Sequence, residues 1–342
     1  VLCRLSVFQG TFTHEAAVQV ADASLSDLYT LVDKSLLHRG PGLGETTRYD
    51  LHGLVRQYLA GRLREAGQAE AAQAHESHFD FFLSMADRAL DFWDTKQEKG
   101  WLKRLEPERA NLHAAVRWAT EHAKVERVLR LNAALVTFWI YNSPAGEASD
   151  WLEASLSMAW DKRSRSTMRA RARALVVAGH AALQVSEIEL AKARFQEAGE
   201  LFSRLGDRRG LAWSLRGSGF ACLVQGDLTE AQSHAQESLG ICHEIQQDWC
   251  LAWSLHELGN IASARGELEQ AERLLEDAMA LFQKLGREVG TFRTLVSLGH
   301  LKRAQGNSEA SMARYKKALA IQQETQYIQF VAQILEGMAH IG

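Results

Sequence analysis

The feature that most constrains the fold is an internal period of forty residues in the second half of the chain. Two series of glycines recur at this spacing: Gly219, Gly259 and Gly299, and Gly226, Gly266 and Gly306. The pentapeptide Leu-Ala-Trp-Ser-Leu at 211–215 also returns forty residues later, at 251–255. A fixed period of this length is typical of proteins built from stacked supersecondary units, each of which covers the apolar face of its neighbour.

Each forty-residue unit contains two patterns of helical period, one before and one after a glycine of the second series. Around Gly226 the apolar positions are Leu211, Leu215 and Cys222, then Leu228, Ala231, Ala235 and Leu239. Gly226 predicts a left-handed end to the first helix, whereas Gly219, inside that helix, predicts close approach of its partner helix. No proline follows Pro144, so long uninterrupted helices are permitted. We therefore predict a mostly α protein of stacked helical hairpins.

The composition excludes a disordered chain and a membrane-spanning one. Of the 342 residues, 46% are hydrophobic and 24% are charged, as in ordinary globular proteins. The longest apolar run, at 133–141, is about half as long as a membrane helix requires. The net charge of −3 provides no global field for a polyanion. Four cysteines without a C-x-x-C pair indicate a reducing, cytoplasmic location without disulfides. The start at Val1, without Met or a signal pattern, indicates a piece of a longer protein.

The recurring small residues resemble the tetratricopeptide repeat. The two glycine series fit this family's first-helix and turn positions, and its small residue in the second helix corresponds to Ala231, Ala271 and Ser311. The period exceeds the family's usual 34 residues and the helix-ending proline is missing, which resembles the longer, MalT-like variant of large bacterial regulators. The resemblance implies a solenoid at 161–342, with hairpins at 166–204, 205–245, 246–285 and 286–325 and a terminal helix. Ser186 replaces the turn glycine in the first hairpin.

Residues 1–64 predict a winged-helix domain. The expected elements are helices at 12–20 and 25–35, strands at 36–39 and 46–51 around a turn at 40–44, and a helix from His52 to about Arg64. Such an arrangement suggests DNA binding. However, Asp27 and Asp33 on the second helix would face phosphates with the wrong sign, so we expect no direct DNA contact.

The same segment resembles the winged helix of STAND-class, NB-ARC-like signalling ATPases. The resemblance rests on Leu5-Ser6-Val7-Phe8 and on the runs 31–36 and 49–58. It implies a nucleotide-binding domain earlier in the same chain, ADP or ATP in the parent protein, and nucleotide sensing by His52, although Gly53 replaces the usual aspartate. The other interpretation, favoured within this fragment, is that His52 only caps a helix. No P-loop occurs, so we expect neither a cofactor nor enzymatic activity in the fragment.

Residues 65–160 predict a helical arm with degenerate hairpins. The expected helices cover 74–93, 107–122, 125–141 and 147–160. The segment 101–119 resembles the helices that join the winged helix to the repeats in the same ATPases. Six tryptophans, which we interpret as core residues rather than a ligand cage, are Trp93, Trp101, Trp118, Trp139, Trp151 and Trp160.

Three clusters contain residue types that could form a metal, thiol or polyanion-binding site, but we interpret them as structural or surface residues. His75 and His78 share a helix face without a third ligand, which favours a solvated face over a metal site. Cys242 and Cys250 are expected to be buried thiols. A basic cluster is interpreted as a solvated face, with nucleic acid or an acidic partner as the alternative; its members are Lys162, Arg163, Arg165, Arg169, Arg171 and Arg173. We predict no catalytic constellation and no metal site.

The first helices of the hairpins are expected to line a concave groove. Mapping from the recurring glycines places the candidate groove residues on them: Arg173, His180, Trp213, Arg216, Phe220, Trp253, His256, Asn260, Arg293, His300 and Arg303. Tryptophan and arginine often dominate binding energy. The alternative for Trp213 and Trp253 is packing between adjacent repeats, and the sequence does not decide between the two roles.

Two functions of different classes fit these features. The first, implied by both resemblances, is the regulatory and sensing portion of a STAND-class ATPase. A protein or a small inducer on the groove would relieve autoinhibition, with ligand-dependent oligomerisation and transcriptional control as outputs. The second is a free-standing adaptor that binds protein partners without nucleotide. Neither function involves a membrane.

Overall fold

The computed structural model describes residues 1–42, 46–90, 97–136, 138–142, 146–325 and 331–340. The chain divides into two compact units. The N-terminal unit comprises Val1–Asp91 and Gly100–Leu135, and the repeat unit comprises Phe92–Lys99 and Val136–Gly342. None of the helices in the described ranges combines the length and the apolar character that crossing a membrane requires.

The N-terminal unit begins with the predicted winged helix. Its elements are β1 (Phe12–Thr13), α1 (His14–Ala21), α2 (Leu25–Asp33), β2 (Leu37–Pro41), β3 (Thr47–Leu51) and α3 (Gly53–Glu65). Strand β3 lies between β1 and β2 and pairs antiparallel with both. Ser24 and Asp27 form a capping box that begins α2, since each satisfies a backbone N–H of the other. Part of the predicted turn at 40–44 lies outside the described residues.

Four further helices follow in the chain: α4 (Gln68–Leu90), α5 (Glu98–Leu105), α6 (Arg109–Glu121) and α7 (Val125–Ala134). Helix α4 contacts α1, α6 and α7, so it is covered on several sides. His78 on α4 is 2% exposed and lies against Phe8 and Phe82, with ring centroids 5.3 and 4.7 Å away. His75 is half-buried and stacks on Trp118. The expected solvated face is therefore wrong for both histidines, because neighbouring helices cover it.

A buried polar network ties the winged helix to α6. Arg48 on β3 forms an ion pair with Glu108 at 2.7 Å, and it donates hydrogen bonds to Thr11 Oγ1 and to the Thr11 carbonyl. Asn111 donates to Glu108 and to the same carbonyl, and it accepts from the Gln9 backbone N–H. These contacts give hydrogen-bond partners to the buried polar side chains of Arg48, Glu108 and Asn111. The predicted arm thus begins with helices that pack directly on the winged helix.

The repeat unit begins with a π-helical turn, Phe138–Asn142, so α7 ends earlier than the helix expected at 125–141. Then follow α8 (Glu147–Leu156), α9 (Arg165–Gln184), α10 (Ile188–Leu205), α11 (Arg208–Gln225), α12 (Leu228–Glu244), α13 (Asp248–Ala264), α14 (Leu268–Lys284), α15 (Glu288–Ala304), α16 (Ser308–Thr325) and α17 (Val331–Ala339). Consecutive helices from α9 to α16 pack against each other as hairpins. The predicted solenoid is confirmed.

The glycines of the two series have the predicted roles. A Cβ at Gly259 would lie 2.7 Å from Leu275, and one at Gly299 would lie 2.5 Å from Tyr315, so both glycines admit the partner helix. Gly226 has φ of 90° at the end of α11. Ser186 takes the same left-handed conformation, with φ of 62°, where the turn glycine is missing. The backbone of the hairpin turn is therefore retained without its glycine.

Cys242 and Cys250 form a disulfide, with their Cα atoms 5.4 Å apart. The expectation of buried free thiols is therefore wrong. The physical reason is the short connection between α12 and α13, which brings the end of one helix next to the start of the other within disulfide range. Cys222 is a buried free thiol, and Cys3 is free and half-buried.

The tryptophans of residues 65–160 and the basic cluster differ in burial. Trp118 and Trp139 are buried core residues, Trp101, Trp151 and Trp160 are half-buried, and Trp93 lies outside the described residues. Arg171 is buried and pairs with Glu197 at 2.7 Å, so it departs from the solvated face predicted for its cluster. The other members are exposed: Lys162, Arg163, Arg165, Arg169 and Arg173.

Candidate ligand groove of the repeat unit

The first helices of successive hairpins, α9, α11, α13 and α15, contact one another in sequence along one face of the repeat unit. Helix α9 contacts α11, α11 contacts α13, and α13 contacts α15. We call this face the groove face. These four helices carry all of the candidate groove residues.

On the first helices, two arginines lie close to the ring of one tryptophan. The guanidinium carbon of Arg216 lies 5.0 Å from the ring centroid of Trp253, and that of Arg293 lies 5.2 Å from it. Arg293 also lies 5.5 Å from the ring of Phe220. These distances are within the range of cation–π attraction. Helices α11, α13 and α15 thus each contribute one residue to an arrangement that we call the Arg–Trp–Arg cluster: Arg216, Trp253 and Arg293.

Glu257 places a buried carboxylate next to this cluster. Its side chain is 2% exposed, and Oε1 lies 3.6 Å from Arg216 Nη1. Among the described residues, neither carboxylate oxygen has a partner at hydrogen-bond distance, so the contact with Arg216 is an ion pair. Burial raises the pKa of Glu257, and the positive charges of Arg293 and Arg216 oppose this change. The carboxylate therefore balances one of the two guanidinium charges at a desolvation cost.

Two histidines flank the cluster and are neutral. Burial, together with the nearby guanidinium groups, holds the pKa of His180 and of His256 well below the ordinary value of 6.5. His256 contacts Thr294 Oγ1 at 3.1 Å through Nδ1 and Asn260 Nδ2 at 3.0 Å through Nε2. His180 Nε2 lies 3.5 Å from Arg216 Nη2. A neutral imidazole there orients its neighbours without adding positive charge.

The predicted groove residues differ in accessibility. Trp253, Arg216 and His256 are buried, at 5%, 9% and 1% exposure. Trp253 packs against Phe282 of α14 with ring centroids 4.8 Å apart. This contact lies within one hairpin, whereas the alternative predicted from the sequence was packing between adjacent repeats. Arg173 is exposed, and the half-buried residues are His180, Trp213, Phe220, Asn260, Arg293, His300 and Arg303.

The predicted residues are not all brought together. His300 lies apart from the cluster and contacts the Tyr315 hydroxyl at 2.8 Å. Arg173 is on α9, the helix furthest along the array from α15. Sequence reasoning missed Glu257 and Thr294, which follow His256 and Arg293 directly in the chain. The signal that could have found Glu257 is an acidic residue inside an otherwise apolar and basic helix face.

The chemistry of the groove face favours an anion. Two guanidinium groups and one carboxylate leave an excess of one positive charge around the ring of Trp253. Arginine in such a setting recognises carboxylate or phosphate groups through its planar donors. Arg293 and Phe220, both half-buried, are the members that a ligand can reach from solvent.

His52, the candidate nucleotide-sensing residue, is exposed in the N-terminal unit. It occupies the N-cap position of α3, but its side chain makes no capping hydrogen bond. The position is therefore that of a helix cap, whereas the imidazole does not act as one.

Curated relatives carry regulator names. A protein of Mycobacterium bovis and two proteins of Mycobacterium tuberculosis, each described as an HTH-type transcriptional regulator, are 31% identical over 179 residues. The match covers 50% of this chain and 20% of each relative. The chain thus matches about a fifth of the length of these relatives.

Solved structures share the fold at low sequence identity. A Rap protein complexed with the competence and sporulation factor is 11% identical, with a TM-score of 0.51, over 96% of this chain and 86% of that protein. A STAND protein with a tetratricopeptide repeat sensor from Pyrococcus horikoshii is 16% identical, with a TM-score of 0.49, over 99% of this chain and 58% of that protein. The Rap likeness is one of fold alone.

Family models cover both ends of the chain. The model described as a winged helix-turn-helix domain matches residues 1–64. The model described as the MalT-like TPR region matches residues 158–338, which is more than half of the chain. Together with the forty-residue hairpins and the solenoid, this match shows that the chain belongs to the family of proteins with a MalT-like TPR region.

Proposed function

We propose that the chain is the regulatory and sensing portion of a STAND-class transcriptional regulator and that its groove face binds an anionic ligand. The observation that carries the proposal is the Arg–Trp–Arg cluster on the first helices of a MalT-like TPR region. The ligand is a small inducer or a protein segment that presents a carboxylate or a phosphate. The regulator names of the mycobacterial relatives support the sensing role.

The cluster is suited to sensing because three hairpins contribute to it. Arg216, Trp253 and Arg293 lie on α11, α13 and α15. An anion bound by Arg293 acts on α15 directly. Through the contacts of Arg293 and Arg216 with the Trp253 ring it also acts on α13 and α11, and so stabilises one spacing of the hairpins over others. A ligand that binds one arrangement better than another shifts the population toward it. Through this shift, ligand binding on the groove face would reach the rest of the parent protein.

The remaining parts of the proposal concern the parent protein. The winged helix packs on the nucleotide-binding domain of the same chain, where the exposed His52 contacts ADP. The portion described by these 342 residues binds and transmits but does not catalyse. Reading the coding sequence upstream of Val1 tests this part. A Walker A motif there supports it, and a start codon directly before Val1 would leave a free-standing adaptor.

Anion binding is tested by titrating the chain with inorganic phosphate, citrate and a peptide rich in Asp and Glu, with glucose as the neutral probe. Isothermal titration calorimetry measures the affinities. Arg293→Leu should weaken the best anion at least about tenfold, a loss that corresponds to one charge-assisted contact. Arg293 is preferable to Arg216, which is buried and supports the fold.

The matched control is Arg273→Leu, which removes an exposed arginine from the outer helix α14. It should leave the affinity unchanged. Equal weakening in the two variants would mean general charge attraction only, and the absence of binding by any anion would contradict the proposed ligand class.

A further inference from the structure

The hairpin formed by α11 and α12 brings together a thiol, an imidazole and a carboxylate away from the groove face cluster. Cys222 is near the end of α11, while Glu230 and His234 lie one turn apart on α12. Cys222 Sγ is 3.3 Å from Glu230 Oε2, and His234 Nε2 is 3.7 Å from Glu230 Oε1. The three potential ligand atoms all lie within 4.8 Å of one another.

These residue types are the ligands that zinc prefers. Zinc is bound by Cys sulfur, His nitrogen and Glu oxygen, and sites with three protein ligands leave a fourth position for water or another ligand. Within the part of the chain that the structure describes, this is the one group of three or more His, Cys, Asp and Glu residues with such spacing. We propose that Cys222, Glu230 and His234 form a site for a divalent transition-metal cation, with Zn²⁺ as the best fit.

The burial of the three side chains is graded in a way that suits a metal site. Cys222 is buried and His234 is half-buried, whereas the side chain of Glu230 is 44% exposed. A cation entering from solvent meets Glu230 first and the thiol last. Only small side-chain movements are required, because ligand atoms around a tetrahedral zinc lie about 3.3 to 3.8 Å apart, as follows from bond lengths of 2.0 to 2.3 Å.

A second layer of contacts orients the carboxylate. Lys192 on α10 lies 3.1 Å from Glu230 Oε2 and donates also to Gln225 Oε1 at 3.1 Å. Outer partners of this kind fix metal-ligating carboxylates and tune their affinity. The ammonium of Lys192 supplies the positive charge that a bound cation would otherwise provide, so it opposes metal binding. Removing this charge is therefore expected to strengthen the site.

Coordination replaces the thiol proton by the metal. The S–H bond of Cys222 breaks, the proton passes to buffer, and the sulfur donates an electron pair to the cation. Burial raises the pKa of Cys222 to about 11, and Glu230 and Asp227 act in the same direction while Lys192 opposes them. Metal affinity should consequently rise with pH, because metal binding and proton release are coupled.

The test uses the complete chain under non-reducing conditions, which preserve the Cys242–Cys250 disulfide and leave Cys222 and Cys3 as the free thiols. The chain is titrated with Co²⁺, whose thiolate coordination gives a charge-transfer absorption, and Zn²⁺ displacement then gives the zinc affinity. We expect one cation per chain. Cys222→Ser and His234→Ala should each weaken binding at least about tenfold. Lys192→Met should strengthen it severalfold, because the ammonium that repels the cation is removed.

Two matched control variants each replace a thiol or an imidazole outside the proposed site. Cys3→Ser removes the other free thiol, and His243→Ala removes an exposed histidine from α12, the helix that carries His234. Both should retain full binding. If Cys222→Ser fails to fold by circular dichroism, the half-buried His234 still decides the result. The proposal is overturned if no stoichiometric cation binds, or if His234→Ala binds as tightly as the unchanged chain.

Discussion

The turn between α9 and α10 shows how a single residue adapts the repeat. Ser186 is exposed and has φ of 62°, a conformation that costs residues with a Cβ roughly 1 kcal/mol or more. Glycine adopts it freely. We expect Ser186→Gly to raise the free energy of unfolding by about 1 kcal/mol, as measured by urea denaturation. Ser203→Gly, at an exposed position in the last turn of α10, should lower it by up to about 1 kcal/mol. If both variants change the free energy of unfolding in the same direction, the strain at Ser186 is refuted.

Glu257 is a second residue whose replacement is informative, and this prediction rests on the proposed anion site. Its carboxylate lies beside the guanidinium groups that an anionic ligand would use. Glu257→Gln should lower the free energy of unfolding by about 1 to 3 kcal/mol, because a buried arginine loses its counter-charge. The same change should tighten citrate binding about tenfold, equivalent to about 1.4 kcal/mol, since the competing carboxylate is gone.

Isothermal titration calorimetry measures the citrate affinity, and urea denaturation measures the free energy of unfolding, for Glu257→Gln and for a matched control variant. Glu237→Gln removes an exposed carboxylate from α12 and should change neither quantity. Tighter binding in both variants would indicate only a change of net charge. Weaker binding in Glu257→Gln would show that Glu257 positions the arginines rather than competing with the ligand.

The sequence predicts residues whose role is local. Gly226 and Gly259 have a turn and a close helix contact that follow from their places in the repeat, and both roles are observed. Glu257 was missed because its environment depends on Arg216 and Arg293, which reach it from helices about forty residues away on either side. Such a contact depends on the angle between hairpins, which the periodicity of one helix does not specify.

At the scale of elements, one ion pair links strand β3 to the segment that precedes α6. The order of helices and strands along the chain does not predict this contact. Arg48 and Glu108 are sixty residues apart and both buried. We expect Glu108→Gln to lower the free energy of unfolding by about 3 to 5 kcal/mol, because Arg48 would keep a buried charge without its partner. Glu106→Gln, next to it but 53% exposed in its ion pair, should cost less than about 1 kcal/mol.

Chemical denaturation followed by tryptophan fluorescence and circular dichroism distinguishes the two variants. The difference between the two losses in free energy of unfolding is the informative quantity, because both variants remove one carboxylate from the same turn. Equal, small losses would mean that Arg48 finds water or another acceptor when Glu108 is neutral.

Some ends and connections of the helices follow from the sequence pattern, and others do not. Hairpins α11–α12 and α13–α14 follow the glycine and apolar periods, which are local signals. The disulfide between α12 and α13 and the end of α7 at Ala134 depend on tight connections and on packing with neighbouring helices. Tertiary contacts of this kind override local propensity and leave little trace in the order of residue types.

At the scale of the whole molecule, the buried His78 and His256 and the half-buried His180 make stability depend on pH. Burial lowers the pKa of His78 to about 3, and it lowers the pKa of His180 and His256 well below 6.5. The folded chain keeps these imidazoles neutral, whereas the unfolded chain protonates them below about pH 6.5. The unfolded state then binds more protons, so stability is lost as the pH falls below 6.5 and is fully present above it.

We expect each histidine to contribute a loss of about 1 kcal/mol between pH 6.5 and 5.5, as follows from one proton taken up only on unfolding. Glu257, whose pKa is raised by burial, partly offsets the loss in the repeat unit, because its folded form binds a proton more readily. The N-terminal unit contains one of the three histidines, His78, so its melting transition should also move to lower temperature as the pH falls.

Thermal melts of the chain at pH 7.5, 6.5 and 5.5 measure this dependence. His78→Gln should lower the melting temperature at pH 7.5 through lost packing with Phe8 and Phe82, yet flatten the decline toward pH 5.5, because the group that must stay neutral is gone. His38→Gln, which removes an exposed histidine from the same unit, should keep the full decline. If His78→Gln retains the slope of the unchanged chain, the acid sensitivity of this unit arises from its carboxylates, whose ion pairs protonation breaks, and the buried imidazole contributes nothing to it.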